Sequence, residues 1–258
     1  MRNIKLTIEY DGAGFNGWQT QRVKGQESRG KGKKLKTIQE EIEKAARKLF
    51  GKRVVVIGAG RTDAGVHAKA QVANFRIDTN LPIDNIKNGL NSLLPRRISI
   101  VSVEEVPLKF HSQFDSREKL YRYTMLNRKV RSPLLERHSA FVPYDLNVSA
   151  MKKAAKYLIG KKDFKSFQAT DKKERGSVKT IKKIEIVSRP PVIEIFIQAD
   201  GFLYNMARNI AGTLIEVGRG RFTPEAVKHI LDEKHRPSAG QTAPAKGLCL
   251  EKVYYRCR

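Results

Sequence analysis

A single carboxylate, Asp63, stands in the loop GAGRTDAGVH, Gly58 to His67, with Arg61 two residues before it. Small residues and glycines make a tight turn there, between stretches whose β-branched content predicts strands at Arg53–Ile57 and Gln71–Arg76. An aspartate in such a turn has two readings: it bonds its own backbone, or it is presented for chemistry. Arg208 weighs on the choice, because from Gly201 to Ile215 the chain reads GFLYNMARNIAGTLI and Arg208 is its only charged side chain. A helix that apolar is expected to be largely buried, and a buried guanidinium is costly unless it meets a carboxylate or a phosphate. Asp63 is the candidate partner, and the pair would hold its carboxyl below the usual carboxylate range. Snorkelling of Arg208 to solvent is the alternative. Tyr121, in KLYRYTM, is the third candidate. Strand alternation puts Tyr121, Tyr123 and Met125 on one face, and Lys119 and Arg122 are expected near the other. A tyrosine in a site offers a ring for stacking a base and a hydroxyl for moving a proton; core packing is the competing role.

Other chemistries are excluded by what the chain lacks. The glycine loop has no Gly-Lys-Ser/Thr triplet, so it is not a P-loop. It leads into a strand, not the helix that a dinucleotide fingerprint needs. Gln71–Arg76 lacks the aromatics of an RNA-recognition motif. His67, His111, Asp115 and Cys249 do not have metal-ligand spacing, and there is no Gly-x-Ser-x-Gly elbow. Two cysteines, Cys249 and Cys257, are too few for a disulfide framework.

Composition points to the partner. The chain has 51 Lys and Arg against 26 Asp and Glu, a net charge of +25, with 40% hydrophobic residues. A folded, strongly basic protein attracts phosphate backbones and gains from displacing their counterions. A lysine-rich surface kept for solubility is the plainer alternative. No signal-like segment and no apolar run of membrane-spanning length is present, so a cytoplasmic protein is expected.

The elements that must hold these residues repeat one order. Lys5–Tyr10 predicts a strand, and Arg22–Lys36 a mobile Gly- and Lys-rich loop. Thr37 and Glu40 form a capping box for a helix with Ile38, Ile42, Ala45, Ala46 and Leu49 inward, ended by Gly51. The two strands around the Asp63 loop follow. Pro82 then starts a helix with Ile83, Ile86, Leu90 and Leu93 on its inner face, and Ile98–Val106 is a strand. The second half offers strands at Leu120–Leu126, Thr180–Val187, Val192–Ala199 and Leu248–Tyr255, and helices at Val148–Ile159, Phe202–Val217 and Pro224–Leu231, the last capped by Thr223. Each half is therefore β-α-β-β-α-β, the ferredoxin-like order. The fold class is α/β (α+β): two such halves, residues 1–106 and 107–258, their antiparallel sheets joined into one platform with helices behind and a basic cleft between them.

At these residues the chain resembles the TruA-type tRNA pseudouridine synthases, over nearly its whole length. The resemblance rests on EYDGAGFNGWQ (Glu9–Gln19), TIQ (Thr37–Gln39), GAGRTDAGVHA (Gly58–Ala68), LNSLLP (Leu90–Pro95) and KLYRYTMLN (Lys119–Asn127), then on DFKSF (Asp163–Phe167), ARNIAGTLIEVGRG (Ala207–Gly220) and TAPAKGLCL (Thr242–Leu250). It implies an isomerase that converts uridine to pseudouridine in the anticodon arm of tRNA, at positions 38 to 40, as a homodimer, without metal or organic cofactor. It gives Asp63 the part of the essential aspartate, Arg208 its arginine partner, Tyr121 the active-site tyrosine, and Arg61 an arginine that helps extrude the base. Two departures stand out. Gln113 occupies the place of an arginine in the family's Phe-His-Ala-Arg-Phe, which bears on a phosphate contact, and the loop Gln21–Lys36 is long and lysine-rich.

Overall fold

Strand β1, Arg2–Tyr10, buries Ile4, Leu6 and Ile8 on its core face. It pairs antiparallel with β3, His67–Ile77, on one side and with β4, Ile98–Val106, on the other; the two-residue β2, Ile57–Gly58, pairs antiparallel with β3. These belong to the first of two compact units, Met1–Ser116 and Arg117–Arg258. The computed structural model describes residues 1–19, 36–170 and 176–256, so the expected Gly- and Lys-rich loop, except Lys36, and Cys257 lie outside the described residues.

Helix α1, Ile38–Phe50, begins with the expected reciprocal cap: Glu40 N donates to Thr37 Oγ1 (3.3 Å), and Thr37 N donates to Glu40 Oε2 (3.1 Å). Gly51, at φ +67°, ends it in the left-handed conformation. Helix α2, Ile83–Leu93, follows Pro82 and buries Ile86 and Leu90. Leu93, expected inward, is exposed at the helix end. The two helices approach closely, for the methyls of Leu49 fill the space where a Cβ on Gly89 would stand.

The strand expected at Arg53–Ile57 shrinks to Ile57–Gly58. The polar groups of this segment are taken up by a helix instead of a neighbouring strand: Val56 N donates to Glu43 Oε1 (3.1 Å), and Val56 O accepts from Gln39 Nε2 (3.1 Å). Val54 and Val56 are buried all the same. Hydrophobic alternation is thus present without a ladder.

The second unit contains β5, Ser116–Asn127; β6, Ala140–Val142; α3, Val148–Lys156; β7, Gly160–Asp163; β8, Val178–Arg189; β9, Val192–Ala199; α4, Met206–Gly218; α5, Ala226–Glu233; and β10, Leu248–Tyr255. Its sheet runs β10-β5-β9-β8-β7, with β6 parallel to β5. With β6 and β7 set aside as additions, the remaining strands have the spatial order fourth, first, third, second. The first unit, β4-β1-β3 with β2 beyond, has the same order. The repeat read from element order is therefore also one of topology. The fold is mixed α/β, as expected, and the sheet of each unit carries the pairing of the split β-α-β motif.

Three differences have local causes. Helix α4 starts at Met206, not Phe202, because Asn205 adopts φ +58°, a conformation Asn tolerates, and Met206 N closes a turn on Leu203 O. Helix α3 ends at Lys156, since Tyr157, Leu158 and Ile159 bond three residues back and Gly160 turns away at φ +102°. The division between units falls at Ser116, later than residue 106. Asn3 holds the intervening segment to the first unit, its Nδ2 donating to Pro107 O (3.0 Å) and Phe110 O (2.9 Å), and Ser112 N donates to Asn74 Oδ1 (2.9 Å).

Candidate active site

The Asp63 loop is gripped from one side by the segment Tyr10–Trp18 of the same unit. The first amides of α1 find their acceptors there: Ile38 N donates to Gly17 O (3.2 Å), and Gln39 N to Trp18 O (3.1 Å). Trp18 N in turn donates to Thr62 O (3.0 Å), so the helix start is tied through two residues to the peptide before Asp63. Tyr10 Oη and Thr62 Oγ1 share a buried hydrogen bond of 2.8 Å. On the other side, Gln71 Nε2 of β3 donates to Gly60 O (3.0 Å), and Ala59 N to Val72 O (2.7 Å). Within the loop, Val66 N donates to Asp63 O (3.1 Å) and closes the turn.

Two glycines make this approach possible. A Cβ on Gly12 would stand 2.0 Å from Val66 O, and one on Gly17, at φ +73°, 2.4 Å from Thr62 O. The indole of Trp18 is buried and lies over Gly58, where a Cβ would meet it at 2.5 Å. His67 Nδ1 lies 3.1 Å from Gly12 N and 3.1 Å from Asp11 Oδ1, which seats the ring against the Asp11–Gly12 turn. Tyr10, Gly12, Gly17, Trp18 and Thr62 were not singled out as functional from their types. Their signal in the sequence is the pair of glycines, spaced five apart and followed by the only tryptophan of the chain. Asp63 itself is half-buried, and Arg61 is exposed.

In the second unit, Tyr121 is buried on β5 with its ring edge-on to Phe202, centroids 4.8 Å apart. Tyr123, on the same face, is fully enclosed; its hydroxyl donates to Pro244 O (2.9 Å), and burial pushes its pKa up. Arg208 is half-buried in the first turn of α4. Its Nε donates to Ala243 O (2.8 Å) and its Nη1 to Asn205 Oδ1 (3.0 Å), so the guanidinium is oriented rather than trailing into solvent.

The neighbours of Tyr121 require a correction. Lys119 does not turn away from it: register pairs Lys119 with Ala199, Tyr121 with Ile197 and Tyr123 with Ile195, one continuous face. The odd-numbered residues share a side by strand periodicity, so Lys119 belongs with Tyr121 and not with Arg122. Arg122 does face the other way, between Glu194 Oε1 and Glu251 Oε1, each at 2.7 Å. Burial opposes its charge, but the two carboxylates outweigh burial and raise its pKa.

At the departure from the family pattern, Gln113 is exposed in a local turn. His111 stacks on Phe114 (4.2 Å between centroids), and its backbone N donates to Asp115 Oδ2 (2.9 Å).

The chain is thus a mixed α/β protein that holds an aspartate loop between two glycine contacts and repeats a split β-α-β unit. Sequence comparison gives its family. The profile of the family described as tRNA pseudouridine synthase matches residues 7–115 and 154–256, and this chain belongs to that family of isomerases. It is 47% identical over 256 residues to tRNA pseudouridine synthase A 2 of Clostridium perfringens, covering 99% of this chain and 100% of the relative. It is 44% identical to tRNA pseudouridine synthase A of Clostridium acetobutylicum and 44% to that of Caldicellulosiruptor bescii, each again over 99% of this chain and 100% of the relative. Among the described residues, no helix is long and apolar enough to cross a membrane.

Proposed function

We propose that this protein isomerises uridine to pseudouridine in the anticodon arm of tRNA, at positions 38 to 40, with Asp63 as the catalytic aspartate. The observation that carries the proposal is the clamped loop: a carboxylate in a turn whose peptide is fixed by Trp18, Tyr10 and Gln71, in a chain related along its whole length to tRNA pseudouridine synthases. Fixing the nucleophile or base before substrate arrives removes orientational freedom that would otherwise be lost in the transition state.

The target uridine must leave the stack, at a cost of a few kcal/mol, and Arg61, exposed beside Asp63, is the group assigned to help extrude it. The ionised Asp63 then acts on the nucleotide as a nucleophile or as a base at the sugar. The bond from N1 to C1′ breaks, the base turns, and a bond from C5 to C1′ forms. C5 loses its proton and N1 gains one, so atoms and electrons balance without an oxidant or reductant. Tyr121 is assigned the receipt or relay of the C5 proton; the enclosed Tyr123 hydroxyl is engaged with Pro244 O, which supports choosing Tyr121. Arg208, held by Ala243 and Asn205, is assigned as the counter-ion of Asp63 in the working enzyme. The same reading makes the protein a cytoplasmic homodimer, which sedimentation of the purified protein tests.

Asp63→Asn is the deciding variant. tRNA binding should persist while pseudouridine formation, read by mass-spectrometric mapping of tRNA, disappears. Full activity in the variant would overturn the assignment, and binding without activity in the wild type would favour a non-catalytic tRNA-binding protein.

A further inference from the structure

Lys119 and Lys179 lie on one face of the second unit's sheet and have no carboxylate within ion-pair distance among the described residues. Lys119 stands opposite Ala199 of β9, which stands opposite Ile181 of β8. Lys179 is two residues before Ile181 and so shares its face. The Lys179 side chain lies along the backbone of Gly201, with Cδ 3.6 Å and Nζ 4.0 Å from where a Cβ on that glycine would stand. Both lysines are half-buried. Two strand spacings and two residues along β8 separate their backbones, about 12 Å, which two lysine side chains can close onto a single group. Their neighbours are satisfied without them: Glu118, on the opposite face, is bonded by Lys182 and by Gln198 Nε2 (2.7 Å).

Like charges brought together and partly withdrawn from water destabilise the unit that holds them. Burial, and then the charge of Lys179, push the Lys119 pKa down. Such an arrangement becomes favourable when an anion sits between the two ammonium groups. In a chain with a net charge of +25 whose family acts on RNA, that anion has an obvious source. The face also carries Tyr121, two residues along β5 and about 7 Å from Lys119, with Phe202, the residue after Gly201, packed edge-on against it. That distance is about the reach from a nucleobase to a neighbouring phosphate.

We infer that Lys119 and Lys179 together grip one phosphodiester of the RNA, beside the nucleotide that meets Tyr121. The inference rests on the tRNA reading above and adds to it a backbone contact on the second unit. The pair is a positioning device: it holds the strand and takes no part in bond making.

The test uses the full-length protein with Lys119→Gln, Lys179→Gln, the double variant and the charge-keeping Lys119→Arg. tRNA affinity is measured against salt concentration, and pseudouridine formation is measured for KM and kcat separately. Each Gln variant should raise KM about fivefold to tenfold with kcat within twofold, and the double variant should lower the magnitude of the salt slope by about 1 to 2. Lys119→Arg should restore most of the loss. Without RNA, the double variant should melt no lower than wild type, and inorganic phosphate should raise the melting temperature of wild type more than that of the double variant. An unchanged KM and salt slope in the double variant would overturn the phosphate grip. So would a joint fall in kcat and melting temperature, which marks a structural role. Failure of the enzymatic reading looks different: wild type would form no pseudouridine while the salt slope still depended on the two lysines.

Discussion

Replacing Gly17 by alanine tests whether the clamp on the Asp63 loop sets activity. The backbone at Gly17 has φ +73°, where an alanine costs about 1–2 kcal/mol. Its Cβ would lie 2.4 Å from Thr62 O, 3.0 Å from Asp63 C and 3.1 Å from Ala64 N, all backbone atoms that cannot swing aside. To restore even a 3.0 Å contact with Thr62 O, the Asp63 loop or the Gly17 segment must move by roughly 0.6 Å, the difference between those two distances. That motion works against the Trp18 N to Thr62 O bond, worth about 1 kcal/mol. The expected destabilisation is about 2–3 kcal/mol, a fall in melting temperature of about 5–10 °C. Displacement of a catalytic group by 1 Å can cost about 100-fold in rate, so kcat should fall about tenfold or more. Gly51→Ala is the matched control: Gly51 has φ +67° and nothing within 4 Å of the added Cβ. It should lose only the conformational term, about 1 kcal/mol, and keep its kcat. Calorimetry of both variants and single-turnover pseudouridine formation decide the matter. If Gly17→Ala keeps the kcat of Gly51→Ala, the glycine contact does not position the aspartate.

Arg208→Ala should reduce kcat by at least 100-fold and lower stability by about 1–3 kcal/mol, because it removes the charge-assisted bonds to Ala243 O and Asn205 Oδ1. Arg208→Lys should regain stability more than activity; a kcat left intact in Arg208→Ala would sink the proposed pairing. Asp163→Asn probes pH dependence. Burial raises the Asp163 pKa, but the Ser177 hydroxyl, the Lys165 amide and Lys234 outweigh it and hold the carboxyl below its usual value. A depressed folded-state pKa means stability that is present above the unfolded value, near 4, and lost as pH falls through the folded one. The variant should therefore be about 1 kcal/mol less stable than wild type at pH 7, and the gap should close as pH falls through the lowered folded-state value. A gap that stays constant with pH would assign the loss to packing.

Much of the fold was legible because it is encoded in near neighbours. The bounds of Ile98–Val106, Val192–Ala199 and Leu248–Tyr255 follow from alternation, and the reciprocal cap at Thr37 and Glu40 needs only a spacing of three. Strand β7, Gly160–Asp163, was missed because GKKD has no apolar alternation, as suits a lysine-bearing strand at the end of a sheet.

By itself the sequence determined the family, the ferredoxin-like order of elements, and which carboxylate, tyrosine and arginine to examine, since motifs and periodicities are properties of adjacent residues. Tertiary structure decided where backbone groups find their partners. Val56 bonds to helix side chains and so leaves β2 two residues long, while Gly12 and Gly17 seat one loop directly on another. Lys119 and Lys179, sixty residues apart in the chain, come onto one face only through the β5-β9-β8 register. The physical reason is range. Propensity and capping act over a few residues, whereas the apposition of two charges or two loops depends on strand pairing between segments that the local pattern does not specify.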